Sequence, residues 1–265
     1  MNDDLVLVEQ DGRVATLFLN NPDKRNALSP EMLEQIADNL DNLRHTDVRC
    51  VILRGVGEQA FCAGFDINRI GQTGSRQNVN EDPSVDDPYK RPEEAIINFP
   101  YPVIAMIYGF CVGGGLEIAV TCDMRIAADN ARLGITPAKL GIVYQHEPMR
   151  MFVNLIGPSY TKELFTTGRL VEAPRAHTMG LVNNIIPAEQ LKEYTYGLAR
   201  EIAANAPLSV QAGKSIVNRL SDHAPMTSVE ISRFQEMRRV GAASKDLIEG
   251  RKAFLEKRKP EFTGH

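Results

Sequence analysis

The chain has 265 residues, 43% of them hydrophobic and 24% charged, with a formal net charge of -4. That length can bury a full core without disulfide or metal staples. A pI near 5.8 argues against a nucleic-acid binder, since phosphate backbones are met by dense basic faces. No dense basic run appears before Arg251-Lys252 and Lys257-Arg258-Lys259, and this short C-terminal cluster reads as a solvated helix face. The start, Met1-Asn2-Asp3-Asp4, lacks the basic and apolar regions of a secretory signal, and no apolar run approaches a membrane span. Cys50, Cys62, Cys111 and Cys122 lie in apolar or glycine-rich contexts without C-x-x-C spacing. They read as buried free thiols, which fits a reducing, cytoplasmic setting.

Alternating apolar residues over 5–9 and 14–19, around Asp11-Gly12, predict an opening hairpin. Ser29 before Pro30 caps a helix that carries Leu33, Ile36, Leu40 and Leu43 on one face. A buried strand follows at 50–53, then a glycine-containing turn, F-C-A-G-F-D, at 61–66. Over 71–91 the composition shifts to Gly, Ser, Asn, Asp and Pro, predicting an exposed loop placed to act as a lid. Its Asp82, Asp86 and Asp87 lack the glycine and terminal glutamate of a calcium loop, so they read as solvated acids and no metal is expected. A short helix at 92–98 leads to a buried strand at 103–107, and further strands are expected at 124–128 and 132–134. A lone His146 beside Tyr144 reads as a structural residue. From Pro148 the pattern is helical near 148–156, 159–166, 172–179, 188–204, 207–220, 226–241 and 244–258, apart from an extended stretch at 181–186. The fold class is therefore α/β, with strands and helices alternating through the core over 1–200 and a helical region over 201–265.

The stretch 108–123, Y-G-F-C-V-G-G-G-L-E-I-A-V-T-C-D, organises the chain. Its three glycines, Gly113, Gly114 and Gly115, open a helix directly after a strand. Residues without side chains let another molecule approach the backbone, and the first amides of a helix have no internal partners. The helix dipole favours negative charge there. Such a turn is either a packing device or an anion site; Glu117, in the first helical turn, would repel a bound phosphate but could move a proton beside a reacting carbonyl. The G-x-G-x-x-G and G-K-[ST] patterns of nucleotide sites do not fit this stretch.

Lys24-Arg25-Asn26-Ala27-Leu28, the octapeptide A-F-C-A-G-F-D-I at 60–67, and G-G-G-L-E followed by Cys122-Asp123 together resemble the enoyl-CoA hydratase/isomerase family, the crotonases. The resemblance implies a spiral of β-β-α units with a C-terminal helical trimerisation region, assembled as a homotrimer or a dimer of trimers. It implies an acyl-CoA thioester as substrate, with coenzyme A as part of that substrate and no other cofactor. The backbone N–H groups of Phe65 and Gly114 would form an oxyanion hole, and Glu117 would be the catalytic carboxylate. Lys24 and Arg25, which by themselves could equally be solvated, would meet the CoA phosphates. Ala27, Ala63, Asp66 and Ile67 would lie near the nucleotide, and Phe254 and Lys257 would complete the CoA site, often from a neighbouring subunit.

Hydratases of this family use two glutamates, and the second would fall twenty residues after the first, where this chain has Pro137. Proline carries no proton. The stretch T-P-A-K-L-G-I-V-Y at 136–144, with E-M-R-R at 236–239 and A-F-L-E-K-R-K-P-E-F at 253–262, resembles the bacterial methylmalonyl-CoA decarboxylase branch of the family. Phe65 replaces a histidine of that branch, and Val143 a proline. The expected reaction is decarboxylation of a malonyl-type thioester such as methylmalonyl-CoA, a lyase reaction in which Tyr144 hydrogen-bonds the departing carboxylate and Glu117 serves proton delivery to the enolate. The alternatives are hydration or isomerisation with Glu117 as sole carboxylate and His146 or Glu147 as a helper, hydrolysis of a β-keto acyl-CoA, and a non-catalytic CoA- or RNA-binding member of the fold.

Overall fold

A computed structural model describes residues 4–66, 87–140, 142, 144–221 and 227–265. The chain opens with the antiparallel pair β1 (Val6–Asp11) and β2 (Val14–Leu19), followed by α1 (Pro30–Leu43), whose N-cap Ser29 accepts a hydrogen bond from the Met32 N–H. Three strand pairs come next. They are β3 (Cys50–Gly55) with β4 (Ala60–Cys62), β5 (Val103–Ile107) with β6 (Phe110–Val112), and β7 (Met124–Ala128) with β8 (Arg132–Gly134). The first member of each pair joins a six-stranded sheet ordered β1-β2-β3-β5-β7-β10, and the second joins a four-stranded sheet ordered β4-β6-β8-β9. The helices α2 (Lys90–Asn98), α3 (Gly114–Thr121) and α4 (His146–Thr167) come after these pairs in turn, so the chain winds as a spiral of β-β-α units. The edge strands β9 (Val171–Glu172) and β10 (Asn184–Ile186) flank α5 (Ala173–Thr178), and the chain ends in α6 (Ala188–Ala204), α7 (Pro207–Leu220), α8 (Ser228–Ala243) and α9 (Lys245–Glu256).

The central strands are apolar without alternation because both faces of their sheet are covered. Successive side chains point to opposite faces. Val51, Leu53, Val103, Ala105 and Ile107 enter one core with α1 and α3, while Cys50, Ile52, Ile104 and Met106 enter a second, closed by Leu191, Ala199 and Ala203 of α6. All four cysteines are free and buried. Burial pushes the thiols of Cys50, Cys62 and Cys122 up to about 12, and that of Cys111 well above its ordinary value.

One detail differs from the sequence expectation. The strand at 103–107 does not feed the glycine turn directly; Gly109, at φ 52, turns the chain into β6 and the second sheet. A three-residue strand is too short to show a period. The helices expected at 148–156 and 159–166 are both present as the two halves of α4, parted at Gly157 (φ 74, ψ 166), just before Pro158. Glycine accepts that backbone, and proline has no N–H to continue the ladder.

The C-terminal end of α3 is tied down by charged groups. Arg125, 4% exposed, donates to the carbonyl oxygens of Cys122 (2.7 Å), Leu181 (3.0 Å), Ala119 and Val120 (both 3.4 Å). Burial pushes its guanidinium down from the ordinary value. Asp123 accepts from the Val103 N–H at 2.7 Å and from Lys214 Nζ at 2.8 Å. Lys214 donates as well to the carbonyls of Ile96 and Tyr101, so α7 is fastened to the same point.

Candidate active site

Two glycine turns meet on the site side of the spiral. In the first, Leu28 forms a single parallel bridge with Phe65: its N–H donates to the Gly64 carbonyl at 2.8 Å, and its carbonyl accepts from the Asp66 N–H at 2.9 Å. Amides alternate in direction along an extended chain, so the Phe65 N–H faces away from Leu28. In the second turn, Gly113 (φ 56, ψ -128) delivers the chain into α3, and the N–H groups of Gly114 and Gly115 belong to the unpaired first turn. Among the described residues neither the Phe65 N–H nor the Gly114 N–H has an acceptor. The two turns abut backbone to backbone: a Cβ on Gly64, itself at φ +102, would stand 3.0 Å from the Val112 carbonyl oxygen and 3.8 Å from Gly113 Cα.

Glu117 is fully buried one turn into α3. The Tyr144 hydroxyl donates to Glu117 Oε2. The ring of Tyr144 is held edge-on by Phe165 (centroids 5.2 Å, planes at 75°), which is itself edge-on to Phe152 (5.2 Å, 85°), both on α4. Pro137, buried, opens a short 3-10 turn, Pro137–Leu140. His146 and Glu147 pair with each other at 3.1 Å with side chains 91% and 59% exposed, so they face outward from the first turn of α4 and not toward Glu117.

Of the expected CoA-side residues, Lys24, Arg25, Ala27, Ala63 and Asp66 fall into one strip. The Ala63 N–H donates to the Arg25 carbonyl at 3.0 Å, Lys24 Nζ pairs with Asp66 Oδ2 at 2.7 Å, and the Arg25 guanidinium stands 5.3 Å from the Phe110 ring centre. Asn26 holds this strip in place from beneath. It is buried at φ 56, its Nδ2 donates to the carbonyls of Ala60 (2.9 Å) and Val56 (3.1 Å), and its Oδ1 accepts from the Asn21 N–H. Asparagine tolerates this left-handed backbone, which leaves the neighbouring basic side chains outside. The Ala27 carbonyl accepts from Asn21 Nδ2 at 3.3 Å. Ile67, most of the predicted loop at 71–91 and the side chain of Phe254 lie outside the described residues. Lys257, at φ 52, follows α9, and among the described residues no hydrogen bond or ion pair joins it to Lys24 or Arg25.

One residue at the site was missed by sequence reasoning. Tyr89, 4% exposed, lays its hydroxyl in the space that a side chain on Gly114 would need, and its ring centre is 6.2 Å from that of Phe65. It stands inside the polar stretch that reads as loop, whereas the structure makes it the N-cap of α2.

The arrangement combines unpaired amides at a helix start, a buried carboxylate in the first turn, and a phenol bonded to it. That set can hold a developing oxyanion and move a proton beside it. The chain belongs to the enoyl-CoA hydratase/isomerase family, whose pattern it matches over residues 9–265. It is 35% identical to the methylmalonyl-CoA decarboxylase of Escherichia coli (strain K12), over 96% of this chain and 95% of that protein. It is 32% identical to the short-chain-enoyl-CoA hydratase of Clostridium acetobutylicum, over 97% and 96% of the two chains. A solved enoyl-CoA hydratase/carnithine racemase from Magnetospirillum magneticum superposes with a TM-score of 0.91 at 31% identity, covering 99% of this chain and 96% of that one. The protein is thus a crotonase-fold enzyme of acyl-CoA chemistry, and both a decarboxylase and a hydratase stand among its relatives.

Proposed function

We propose that the protein decarboxylates a malonyl-type acyl-CoA thioester such as methylmalonyl-CoA, using no cofactor beyond the CoA of the substrate. The observation that carries this reading is the Tyr144–Glu117 hydrogen bond: a phenol occupies the neighbourhood of the carboxylate, and Pro137 stands where a second acid would be needed. Hydration divides activation of water and proton delivery between two acids. Decarboxylation needs no base to begin. The bond from the α-carbon to the carboxylate breaks, carbon dioxide leaves, and the electron pair becomes a thioester enolate. The N–H groups of Phe65 and Gly114 receive the enolate oxygen, each donor contributing about 3 kcal/mol to the transition state. When substrate binds, the Tyr144 hydroxyl, its ring held by Phe165, turns its single proton from Glu117 to the substrate carboxylate and holds that group out of the thioester plane. Glu117 then holds the water that returns a proton to the α-carbon.

In the same reading Lys24 and Arg25 meet the CoA phosphates, with Ala27, Ala63, Asp66 and Ile67 along the nucleotide. Phe254 and Lys257 come from a neighbouring subunit of a trimer or a dimer of trimers. Support for the assembly comes from exposed apolar side chains on the terminal helices, Val217 (61%), Val229 (76%) and Ile248 (68%). Hydration or isomerisation with Glu117 alone is the second reading, favoured by the similarity to the Clostridium hydratase.

The test is incubation with methylmalonyl-CoA and with crotonyl-CoA, followed by mass spectrometry. Decarboxylation predicts loss of the mass of carbon dioxide from the first, slowed about 10- to 100-fold in Tyr144→Phe. Addition of water to crotonyl-CoA with methylmalonyl-CoA left intact would replace this reading with the second. Full decarboxylase activity in Tyr144→Phe would remove the tyrosine from the mechanism.

A further inference from the structure

Neither candidate oxyanion N–H is held by a hydrogen bond of its own among the described residues. Gly114 has no side chain to anchor, and Phe65 is tied to its neighbour by one isolated bridge. An amide pair stabilises an enolate only while its spacing matches the oxygen that develops between the two donors, so a rigid group that touches both turns can tune that spacing. Tyr89 is in contact with each. Its hydroxyl and the adjoining ring edge fill the space over Gly114 Cα, where a methyl group would lie 2.7 Å from Cζ and 2.9 Å from Cε1, and its ring is tilted 41° against that of Phe65.

Tyr89 is itself firmly held. Its N–H donates to Asp87 Oδ1 at 3.0 Å, and its carbonyl accepts from the Glu93 N–H at 2.9 Å, in the opening turn of α2. That turn is clasped to α1 by Arg91, which pairs with Glu34, with Asp38 at 2.6 Å and with Asp41 at 3.3 Å. A rigid phenol therefore reaches from the α1–α2 layer into the junction of the two glycine turns.

We infer that Tyr89 is the positioning residue of the oxyanion hole, setting the separation of the Phe65 and Gly114 N–H groups. This rests on reading those amides as the enolate site but not on which acyl-CoA reaction follows. It also gives Gly114 a second reason to be glycine: its Cβ space is already occupied.

The experiment compares wild type, Tyr89→Phe, Tyr89→Leu, Gly114→Ala and the Tyr89→Leu/Gly114→Ala double variant, all as full-length protein. Turnover is followed on whichever of methylmalonyl-CoA and crotonyl-CoA the wild type converts, since both reactions pass through a thioester enolate. Binding is measured separately with a CoA thioether that carries the malonyl carboxylate but no thioester oxygen. We expect Tyr89→Leu to lower kcat about 30-fold while thioether affinity stays within about threefold, because only the transition state uses the amide spacing. Gly114→Ala should lose about 100-fold alone, and the double variant should lose only about 300-fold, about tenfold less than the product of the two single losses, because the leucine vacates the space that the new methyl needs. Should Tyr89→Leu not fold, Tyr89→Phe is read in the same way, with a loss of about threefold in kcat. Equal losses of thioether affinity and kcat, or a strictly multiplicative double variant, would overturn the inference and leave Tyr89 as packing. A wild type inert toward both thioesters would overturn the enolate reading itself, and this inference with it.

Discussion

The two ends of α3 are built on opposite plans. At the N-terminal end the donors of Gly114 have no acceptor among the described residues, and the acidic side chain beside them, Glu117, is fully buried. At the C-terminal end the carbonyls of Glu117, Ile118, Ala119, Val120 and Cys122 each accept a hydrogen bond, from Thr121, Cys122 or Arg125. An eight-residue helix is too short to be stable alone. Fastening one end to the sheet and to α7 lets the other end present bare amides without fraying. Stability and chemistry are thereby assigned to opposite ends of one short helix.

The largest effect that would sharpen this contrast is expected at the chemical end. Glu117→Gln keeps shape and hydrogen-bonding capacity, so turnover should fall by about 10³-fold with little change in the urea unfolding midpoint. The anchored end should respond the other way. Arg125→Met leaves a cluster of buried carbonyls without a donor and should lower unfolding stability by about 2–4 kcal/mol, read from urea denaturation. Arg125→Lys, which keeps the charge but not the fork, should lose about half of that. The contrast breaks if Glu117→Gln destabilises as much as Arg125→Met, or if Arg125→Lys abolishes turnover in a protein of unchanged stability.

Much of this was legible in the amino-acid order. The buried strands announced themselves as short β-branched runs, α1 by its Ser-Pro start, and the glycine turn into α3 by Gly113 to Gly115 with Glu117 behind them. What stayed hidden was contact made across the spiral. Strand β6 has three residues and no period, and its partners, β4 and β8, lie in other turns of the chain. Tyr89 lies 25 positions before the glycine whose space it fills, in a stretch whose composition argues for loop. The Tyr144–Glu117 bond spans 27 residues, and local pattern carries no information about such a meeting. Asn26 sat inside a recognised motif, but only the structure shows that it braces the turn while Lys24 and Arg25 face outward.

The buried thiols give the native state a chemical silence. Cys50, Cys62, Cys111 and Cys122 hold their protons in the folded chain well above the ordinary value of 9.0, three of them up to about 12. Once unfolded they ionise near 9.0, so the unfolded chain binds fewer protons than the native one in the window between these values. Stability is therefore unaffected by the thiols below about pH 9 and falls as pH rises above it, toward the folded values. A thermal midpoint that holds steady between pH 9 and 11 would contradict this. At neutral pH the same burial makes a thiol-reactive dye a clock: with four sulfurs sealed in the core, the rate of labelling measures how often the molecule opens.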